Sequence, residues 1–161
     1  MGITPRIGHG FDLHRLEPGH PLIVCGERLK HDRGCVAHSD GDVVYHAVTD
    51  ALLGALALGD IGKLFPDSDP QWKGADSRVF VEEAVNRIDQ AGYAVGNVDI
   101  TVVLERPKLR PHVDAMRHNL AALLNCGLDA VSVKGKTHER VDAVGRGEAI
   151  ACHVVAMLVP A

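Results

Sequence analysis

The chain has 161 residues, of which 46% are hydrophobic and 24% charged, and these proportions predict one globular domain over residues 1–161. The formal charge of −4 at pH 7 and the few aromatic residues, three Phe, two Tyr and one Trp, argue against nucleic acid as a partner. The four cysteines lack C-x-x-C spacing, and the sequence shows neither a secretory apolar region nor an uninterrupted apolar span. We therefore expect reduced thiols, a cytoplasmic location and no membrane partner.

The first predicted element is a strand over residues 7–14 whose two faces differ. One face carries only glycines, Gly8 and Gly10, until Asp12 and His14 end it about 7 Å apart, within reach of one divalent ion. We interpret this face as a site and the other face as core. An Asp and a His at this spacing also fit an edge strand that ends in solvent. The side chains assigned to the core are Ile7, His9, Phe11 and Leu13.

The strongest predicted helix follows residues 38–42 and runs to about Leu58, with Ser39 or Asp40 as its cap. Apolar residues recur along it at intervals of three and four, which is typical of a helix with one buried stripe. The stripe consists of Val43, Val44, Ala47, Val48, Ala51, Leu52, Ala55 and Leu56.

A second face of this helix carries Asp42, His46 and Asp50, which the spacing of four residues stacks one above another. His46 completes a possible ligand set with Asp12 and His14, leaving a fourth position for water or substrate as in catalytic zinc sites. Such ligands also fit cobalt, manganese or iron, so zinc is a preference. Asp42 and Asp50 are possible outer or competing ligands. The alternative for His46 is a half-buried histidine with satisfied hydrogen bonds.

The order of the remaining elements indicates one α/β layer structure. The final strand is apolar on both faces, so we expect it to be central in the sheet or buried between subunits. The predicted elements are a bent strand or hairpin at 22–29 interrupted at Gly34, a polar loop at 59–74, a helix at 77–91, a strand at 97–104, a helix at 111–126, a strand at 131–137 and a strand at 149–159.

A second polar group follows the strand at 131–137. Lys134, Lys136 and Thr137 suit phosphate oxygens, and the nearby Glu139 suits magnesium, which completes its shell with phosphate and water. Two metal sites of different preference suggest phosphoryl chemistry on a diphosphate. Taken alone, this group is more typical of a solvated strand end.

Seven blocks of sequence spread over nearly the whole chain carry a resemblance to a known family. They are residues 8–14 (GHGFDLH), 38–42 (HSDGD) with His46, 49–54 (TDALLG), 59–62 (GDIG) with 65–67 (FPD), 73–77 (KGADS), 107–108 (PK) and 145–148 (GRGE). In this order they resemble the 2-C-methyl-D-erythritol 2,4-cyclodiphosphate synthase family. Two departures are local: residues 134–137 read KGKT where the family often shows KATT, and Ala143 replaces an aromatic residue that faces a central trimer cavity.

The resemblance implies a reaction of the non-mevalonate route to isoprenoids. In 4-diphosphocytidyl-2-C-methyl-D-erythritol 2-phosphate, the 2-phosphate attacks the β-phosphorus, CMP leaves, and 2-C-methyl-D-erythritol 2,4-cyclodiphosphate forms. An in-line displacement of this kind needs positioning and charge neutralisation more than a protein nucleophile. The enzyme would be a metal-dependent phosphorus-oxygen lyase.

The resemblance also implies roles for individual residues. Zinc is expected on Asp12, His14 and His46, and magnesium or manganese, bound with the diphosphate, on Glu139. His38 and Thr137 are expected to stabilise the transition state as catalytic residues. The expected substrate contacts are Asp12, Leu13, His14, His38, Ser39, Asp60, Ile61, Gly62, Phe65, Pro66, Asp67, Ser68 and Asp69 on the methylerythritol phosphate side; Leu104, Glu105, Arg106, Pro107, Lys108, Leu109 and Arg110 around cytidine; and Lys136, Thr137, His138, Glu139, Ala143 and Arg146.

The element order and the resemblance together predict an α/β fold of the α+β type. We expect a mixed sheet of four to five strands with helices on one face, and three such sheets packed around a three-fold axis in a homotrimer. The expected partner is a small-molecule substrate with a cytidine diphosphate group. In the trimer, the metal ligands of one chain would meet the cytidine side of its neighbour.

Two other classes of function use parts of the same pattern. A metal-dependent phosphohydrolase would use the Asp-His-His set with bound water as nucleophile, and would release inorganic phosphate without a cyclic product. A non-catalytic nucleotide-binding module would hold a structural metal, but structural zinc sites are closed and usually richer in Cys.

Overall fold

The strands and helices follow the predicted order, with three short additions. A computed structural model describes residues 4–161. Its strands are β1 (Arg6–Pro18), β2 (Leu22–Val24), β3 (Glu27–Leu29), β4 (Arg33–Cys35), β5 (Tyr93–Val103), β6 (Val131–Lys136) and β7 (Ala149–Pro160). Its α-helices are α1 (Val43–Ala55), α2 (Ile61–Leu64), α3 (Arg78–Gln90), α4 (Val113–Leu123) and α5 (Asp142–Gly145).

Five strands form one mixed sheet in the order β4-β1-β7-β5-β6. The β5–β6 pair is parallel, and the other pairs are antiparallel. Strands β2 and β3 form a separate hairpin, as the pattern at residues 22–29 predicts. The predicted fold class and the central position of the final strand, β7, are both confirmed.

Helix α1 lies directly on the backbone of β1. Gly8 and Gly10 are buried there, and a Cβ atom on either would lie 1.8 Å from the carbonyl oxygen of Ala51 or Ala47, respectively. The glycine face of β1 therefore faces the main core and the site together. The interpretation of the other face as core is wrong within one chain, because the longer helices pack only on the glycine side. The side chains it exposes include Ile7 (72%), Phe11 (48%) and Leu13 (50%).

The main core lies between the sheet and the helices α1, α3 and α4. It contains the predicted stripe of α1 together with the inward residues of β5, β6 and β7. The short helix α5 packs on the opposite face of the sheet, where Val144 contacts a second, smaller apolar cluster of Val103, Ala149 and Ala151. None of the helices in residues 4–161 combines the length and apolarity that a membrane span requires.

The N-terminus of α1 differs from the prediction. Its cap is Asp42, instead of Ser39 or Asp40, and the helix ends at Ala55, before the expected Leu58. Asp42 is completely buried and therefore does not stack with His46 on an open helix face. Its carboxylate accepts hydrogen bonds from four backbone N–H groups, those of Cys25, Gly26, Val44 and Tyr45.

Three short elements, β4, α2 and α5, were not predicted from the sequence. Gly34, expected to interrupt the pattern, lies within β4, and a Cβ atom there would lie 2.1 Å from the carbonyl oxygen of Pro21. It is therefore a close-contact position in a strand. Helices α2 and α5 have only four residues each, which is too short for a recognisable helical period.

Candidate metal centre and flanking cavities

Strand β1 and helix α1 bring three ligand atoms to one point. Asp12 Oδ2 lies 2.9 Å from His14 Nε2 and 3.0 Å from His46 Nδ1, and the two nitrogens are 3.0 Å apart. If both imidazoles donated to the carboxylate, their N–H groups would face each other. A divalent cation instead uses all three lone pairs, so the residues fit a metal ion. The sequence prediction that Asp12, His14 and His46 come together is therefore met in the geometry.

The second nitrogen of His46 is held from behind. His46 Nε2 lies 2.8 Å from Ser77 Oγ and 3.0 Å from Ser39 Oγ, and Ser77 Oγ donates a short hydrogen bond to Asp40 Oδ1. With Nδ1 facing the metal position, Nε2 carries the proton and donates it to a serine oxygen. This support fixes the tautomer and the orientation of a metal-binding imidazole.

The sequence reading missed this support. Ser77 is the first residue of the helix predicted at 77–91 and occupies its N-cap position, but its side chain makes no capping bond and is fully buried against His46. Asp40 was expected as a cap of α1 and accepts from Ser77 instead. No local pattern reveals this role, because the residues come from separate segments, 38–42 and 73–77.

The charge of Asp12 is stabilised by the two histidines. Burial raises the pKa of Asp12, but hydrogen bonds from His14 and His46 outweigh it and leave this pKa well below its ordinary value. The carboxylate is therefore ionised and able to ligate at neutral pH.

Asp42 and Asp50, predicted as possible outer or competing ligands, have other partners. Asp42 caps α1, and burial raises its pKa to about 6 against the hydrogen bonds from Gly26, Cys25 and Tyr45, which lower it. Asp50 accepts from the backbone N–H of Ile61 at 2.7 Å, and burial raises its pKa too. Neither carboxylate belongs to the group that Asp12 forms with the histidines. The prediction that they are outer or competing metal ligands is wrong, because both carboxylates accept hydrogen bonds from backbone N–H groups instead.

A cavity of about 460 Å³ opens beside the metal position. Two of its walls come from residues 36–39 and from α2 with the loop after it. His38 Nε2 lies 3.3 Å from the carbonyl oxygen of Asp69, which holds the ring at the rim. The predicted site residues that line this cavity are Asp12, His14, His38, Ser39, His46, Ile61, Gly62, Phe65, Pro66 and Asp67.

Three aromatic rings form the floor of this cavity, and the sequence reading identified only one of them. Phe65 lies 5.1 Å from Trp72 and 4.6 Å from Phe80, measured between ring centroids. Phe80 also reaches the ring of His46, at 5.8 Å. The sequence contains only six Phe, Tyr and Trp residues, and three of them lie here. The concentration of so few aromatic residues in one stretch, 65–80, could have indicated the site. An apolar floor strengthens the electrostatic interactions of groups that bind above it.

A second cavity, of about 500 Å³, lies beside the end of β6 and shares no lining residue with the first. Lys134 does not join it, because its ammonium group pairs with Asp99 at 2.6 Å. The predicted residues that line it are Leu104, Pro107, Lys108, Leu109, Arg110, Lys136 and Thr137.

The loop after β6 is strained. Glu139 and Arg140 in this loop, and Asp142 at the start of α5, have φ angles of 50°, 63° and 61°, a left-handed conformation that costs on the order of 1 kcal/mol for a residue with a side chain. Thr137 Oγ1 donates to Glu139 Oε1 at 3.1 Å, and His138 pairs with Asp142. The carboxylate of Glu139 is therefore presented in solvent, held by a single side-chain contact.

The other predicted contacts lie apart from these two cavities. Leu13 points to the opposite face of the sheet, and Asp60 caps α2. Glu105, Arg106 and Arg146 line a larger hollow of about 1160 Å³, in which Arg146 pairs with Glu148 at 3.1 Å. The remaining predicted residues, which line neither cavity, are Ser68, Asp69, His138, Glu139 and Ala143.

The sequence and the fold were compared with those of known proteins. The model of the YgbB family matches residues 5–159. A 2-C-methyl-D-erythritol 2,4-cyclodiphosphate synthase from Pectobacterium atrosepticum is 57% identical over 154 residues, covering 96% of this chain and 93% of the relative. The chloroplastic synthase of Arabidopsis thaliana is 60% identical over 153 residues, covering 95% of this chain and 66% of its own length. This chain thus spans about two thirds of that plant relative.

Solved structures agree with the sequence comparison. A 2C-methyl-D-erythritol-2,4-cyclodiphosphate synthase in a CDP-bound form superposes with a TM-score of 0.89 at 42% identity, covering 96% of this chain and all of the other (100%). The bifunctional IspDF of Campylobacter jejuni gives a TM-score of 0.94 at 36% identity, covering 99% of this chain and 43% of that one. With the match running from the first residues of β1 to the end of β7, the chain belongs to the YgbB family of 2-C-methyl-D-erythritol 2,4-cyclodiphosphate synthases.

Proposed function

We propose that this chain is a cyclodiphosphate synthase. It would convert 4-diphosphocytidyl-2-C-methyl-D-erythritol 2-phosphate to 2-C-methyl-D-erythritol 2,4-cyclodiphosphate with release of CMP. The observation that carries the proposal is the convergence of Asp12, His14 and His46 at the mouth of a cavity. The 57% identity to a synthase of nearly the same length supports the specific substrate.

Zinc is the proposed ion at Asp12, His14 and His46, because two imidazoles and one carboxylate leave one position open. When bound, the ion supplies charge neutralisation to a phosphate oxygen. The residues of the chain orient the substrate: His38 stands at the rim of the first cavity, where a phosphate would lie between its ring and the metal position, and Ser39 lines the same cavity. The role of His38 as a catalytic residue is part of this proposal.

The second half of the proposed site lies around β6. Thr137 and Lys136 offer a hydroxyl donor and a cation for the diphosphate, and Glu139 offers a carboxylate for magnesium or manganese. The loop at 104–110 would hold cytidine; a related synthase has been seen in a CDP-bound form. Arg146 and Ala143 are proposed only as outer contacts, since both lie near the larger hollow and its α5 wall.

The two halves are proposed to meet across a subunit boundary in a homotrimer. The separation of the two cavities within one chain supports this arrangement. A second support is the exposed apolar face of the sheet, where Ile7, Phe11, Leu13, Val155 and Met157 are 37–72% exposed. Exposed apolar surface of this kind is typical of a protein interface.

Phosphorus NMR of the purified protein with the diphosphocytidyl substrate tests the reaction. We expect signals of a cyclic diphosphate and of CMP, which require the divalent metal ions. Release of inorganic phosphate without a cyclic product would indicate the phosphohydrolase alternative. An unchanged substrate spectrum, with tight binding, would indicate a binding module.

Mixing two inactive variants tests the shared site. Asp12→Ala removes the metal side, and Thr137→Ala removes the cytidine side. When the two chains are co-expressed, roughly one interface in four regains two intact halves if closed rings assemble at random. We expect partial activity from two inactive parents. Mixed trimers, verified by mass spectrometry, with no more activity than either parent would contradict the shared site.

The cytoplasmic location and the single domain over residues 1–161 belong to the same proposal. All four cysteines are free, and burial raises the pKa of Cys35 to about 12, as expected for an inert thiol in a reducing compartment. One main core extends from Leu16 to Leu158, which supports a single domain. Immunoblots of fractionated cells test the location, and limited proteolysis tests the domain.

A further inference from the structure

Two imidazoles face each other on the sheet surface opposite the candidate metal centre. His9 on β1 and His153 on β7 are both exposed, and His9 Nε2 lies 3.4 Å from His153 Nδ1. In the antiparallel register His9 pairs with Val155 and His153 pairs with Phe11, so the two histidines are diagonal neighbours. The alternation of β1 points His9 away from Asp12 and His14.

The separation of the two nitrogens suits shared coordination. Two nitrogens that each lie about 2.0–2.1 Å from one tetrahedral ion are about 3.4 Å apart. A hydrogen bond between N–H and an acceptor is usually shorter, at about 2.7–3.2 Å. The rings are inclined by 28° with centroids 5.7 Å apart, so that the nitrogens are closer together than the ring centres. The Phe11 ring, 4.8 Å from that of His153, restricts how the imidazole turns.

Contact between imidazoles is rare in this chain. Among residues 4–161, ring contacts between histidines occur only in the His14–His46 pair and the His9–His153 pair. The first pair belongs to the candidate metal centre. In this part of the chain the second pair makes no hydrogen bond or ion pair with a carboxylate; its contact is between its own two nitrogens. The carboxylate of Asp99 on the neighbouring strand β5 pairs with Lys134 instead.

We propose that His9 and His153 form a second site for a divalent transition-metal ion. Ligation by imidazole alone favours zinc, nickel or copper over magnesium or calcium, and water would complete the coordination within one chain. The site is built from two strands of a single chain, so it does not depend on the proposed reaction. If the exposed sheet faces of three chains meet at an axis, the copies of this pair would supply further imidazoles to the ion.

Nickel binding to the purified full-length protein tests the site without measuring activity. The parent is the double variant Asp12→Ala, His46→Ala, which removes two of the three ligands of the first centre. After treatment with a chelator, we expect calorimetry to show nickel binding that is lost when His9→Gln or His153→Asn is added. These changes keep a polar group near the position of the relevant nitrogen. His118→Gln, at an exposed histidine on α4, is the control and should leave the binding unchanged.

A parent that binds no nickel, or binding that survives both substitutions at the pair, would overturn the proposal. Circular dichroism checks that each variant is folded. A second measurement needs no substitution. The unsubstituted protein is loaded with one equivalent of zinc per chain, which fills the first centre, and substoichiometric Cu²⁺ should then broaden the imidazole proton signals of His9 and His153. Broadening confined to other histidines would also overturn the site. The nickel readout does not depend on the first centre, because its parent already lacks two of the three ligands there.

Discussion

The metal centre and the loop after β6 carry similar chemical groups but differ in how firmly the chain holds them. The ligand atoms of Asp12, His14 and His46 lie about 3 Å from one another, on a strand and a helix whose backbones are in contact. Ser77 Oγ holds the other nitrogen of His46. Glu139 stands in a strained, exposed loop with one side-chain partner. The first region is preorganised for its ligand within one chain. We expect the second region to need a ligand or a neighbouring chain to complete it.

The largest expected effect comes from removing a ligand of the preorganised centre. His46→Ala should lower activity by at least about 10³-fold, because a metal supplies several kcal/mol of charge stabilisation. Bound zinc should fall in parallel, while circular dichroism remains native. The control is His118→Ala on the exposed side of α4. Full zinc occupancy with normal turnover in His46→Ala would show that the first region is not a preorganised metal centre.

A pH titration of stability tests the buried framework behind that centre. Asp42 has a pKa raised to about 6 from its ordinary 3.8, so the native state holds a proton more tightly than the unfolded chain. This contribution to stability is fully present below pH 3.8 and is lost as the pH rises through about 6.

Asp42→Asn cannot titrate and is the reference for this measurement. The free energy of unfolding of the unsubstituted protein, minus that of the variant, should fall by about 3 kcal/mol between about pH 4 and pH 7. Urea unfolding of both metal-free proteins measures it. The histidines titrate in both proteins and cancel in the difference. A difference that is flat, or rises with pH, would contradict the raised pKa.

Ser77→Ala tests whether the hydrogen bond to His46 Nε2 contributes to the zinc affinity of the centre. Loss of the contact with His46 Nε2 should weaken zinc binding by about 10–100-fold, as for other outer partners of metal-binding histidines. Competition with a chelator measures the affinity. Ser132→Ala, on the exposed side of β6, is the control. Equal affinity in all three proteins would show that Ser77 only fills space.

The smallest expected effect concerns the open loop. Glu139→Gln should raise the magnesium concentration for half-maximal activity by about tenfold, because one carboxylate ligand of a mostly hydrated ion is lost. Zinc content should not change. Glu82→Gln, exposed on α3, is the matched control. An unaltered magnesium titration would remove Glu139 from the metal-binding role.

The sequence predicted the parts of the site that depend on short-range periodicity. Alternation in β1 places Asp12 and His14 on one face, and the helical period places His46 on the helix that covers it. The identity of the α1 cap was missed, because four consecutive polar or small residues before the helix are all acceptable caps. The choice of Asp42 depends on N–H groups at Cys25 and Gly26, which are distant in sequence.

The assignment of core and surface on β1 failed for a related reason. Apolar side chains at Ile7, Phe11 and Leu13 favour burial, and glycines offer nothing to bury. The sequence does not show that a helix backbone covers the glycine face, because that contact involves no side-chain pattern on the strand. The support by Ser77 was hidden in the same way, since it joins segments more than thirty residues apart.

The contact of Gly8 and Gly10 with α1 has a genetic consequence. A methyl group at either position would meet carbonyl oxygens of the helix, at 1.8 Å, instead of a side chain that another mutation could shorten. Damage in an apolar core is often compensated by a smaller neighbour. We expect no such second-site suppressor for these two glycines, so selection for revertants of Gly10→Ala should return only the original residue.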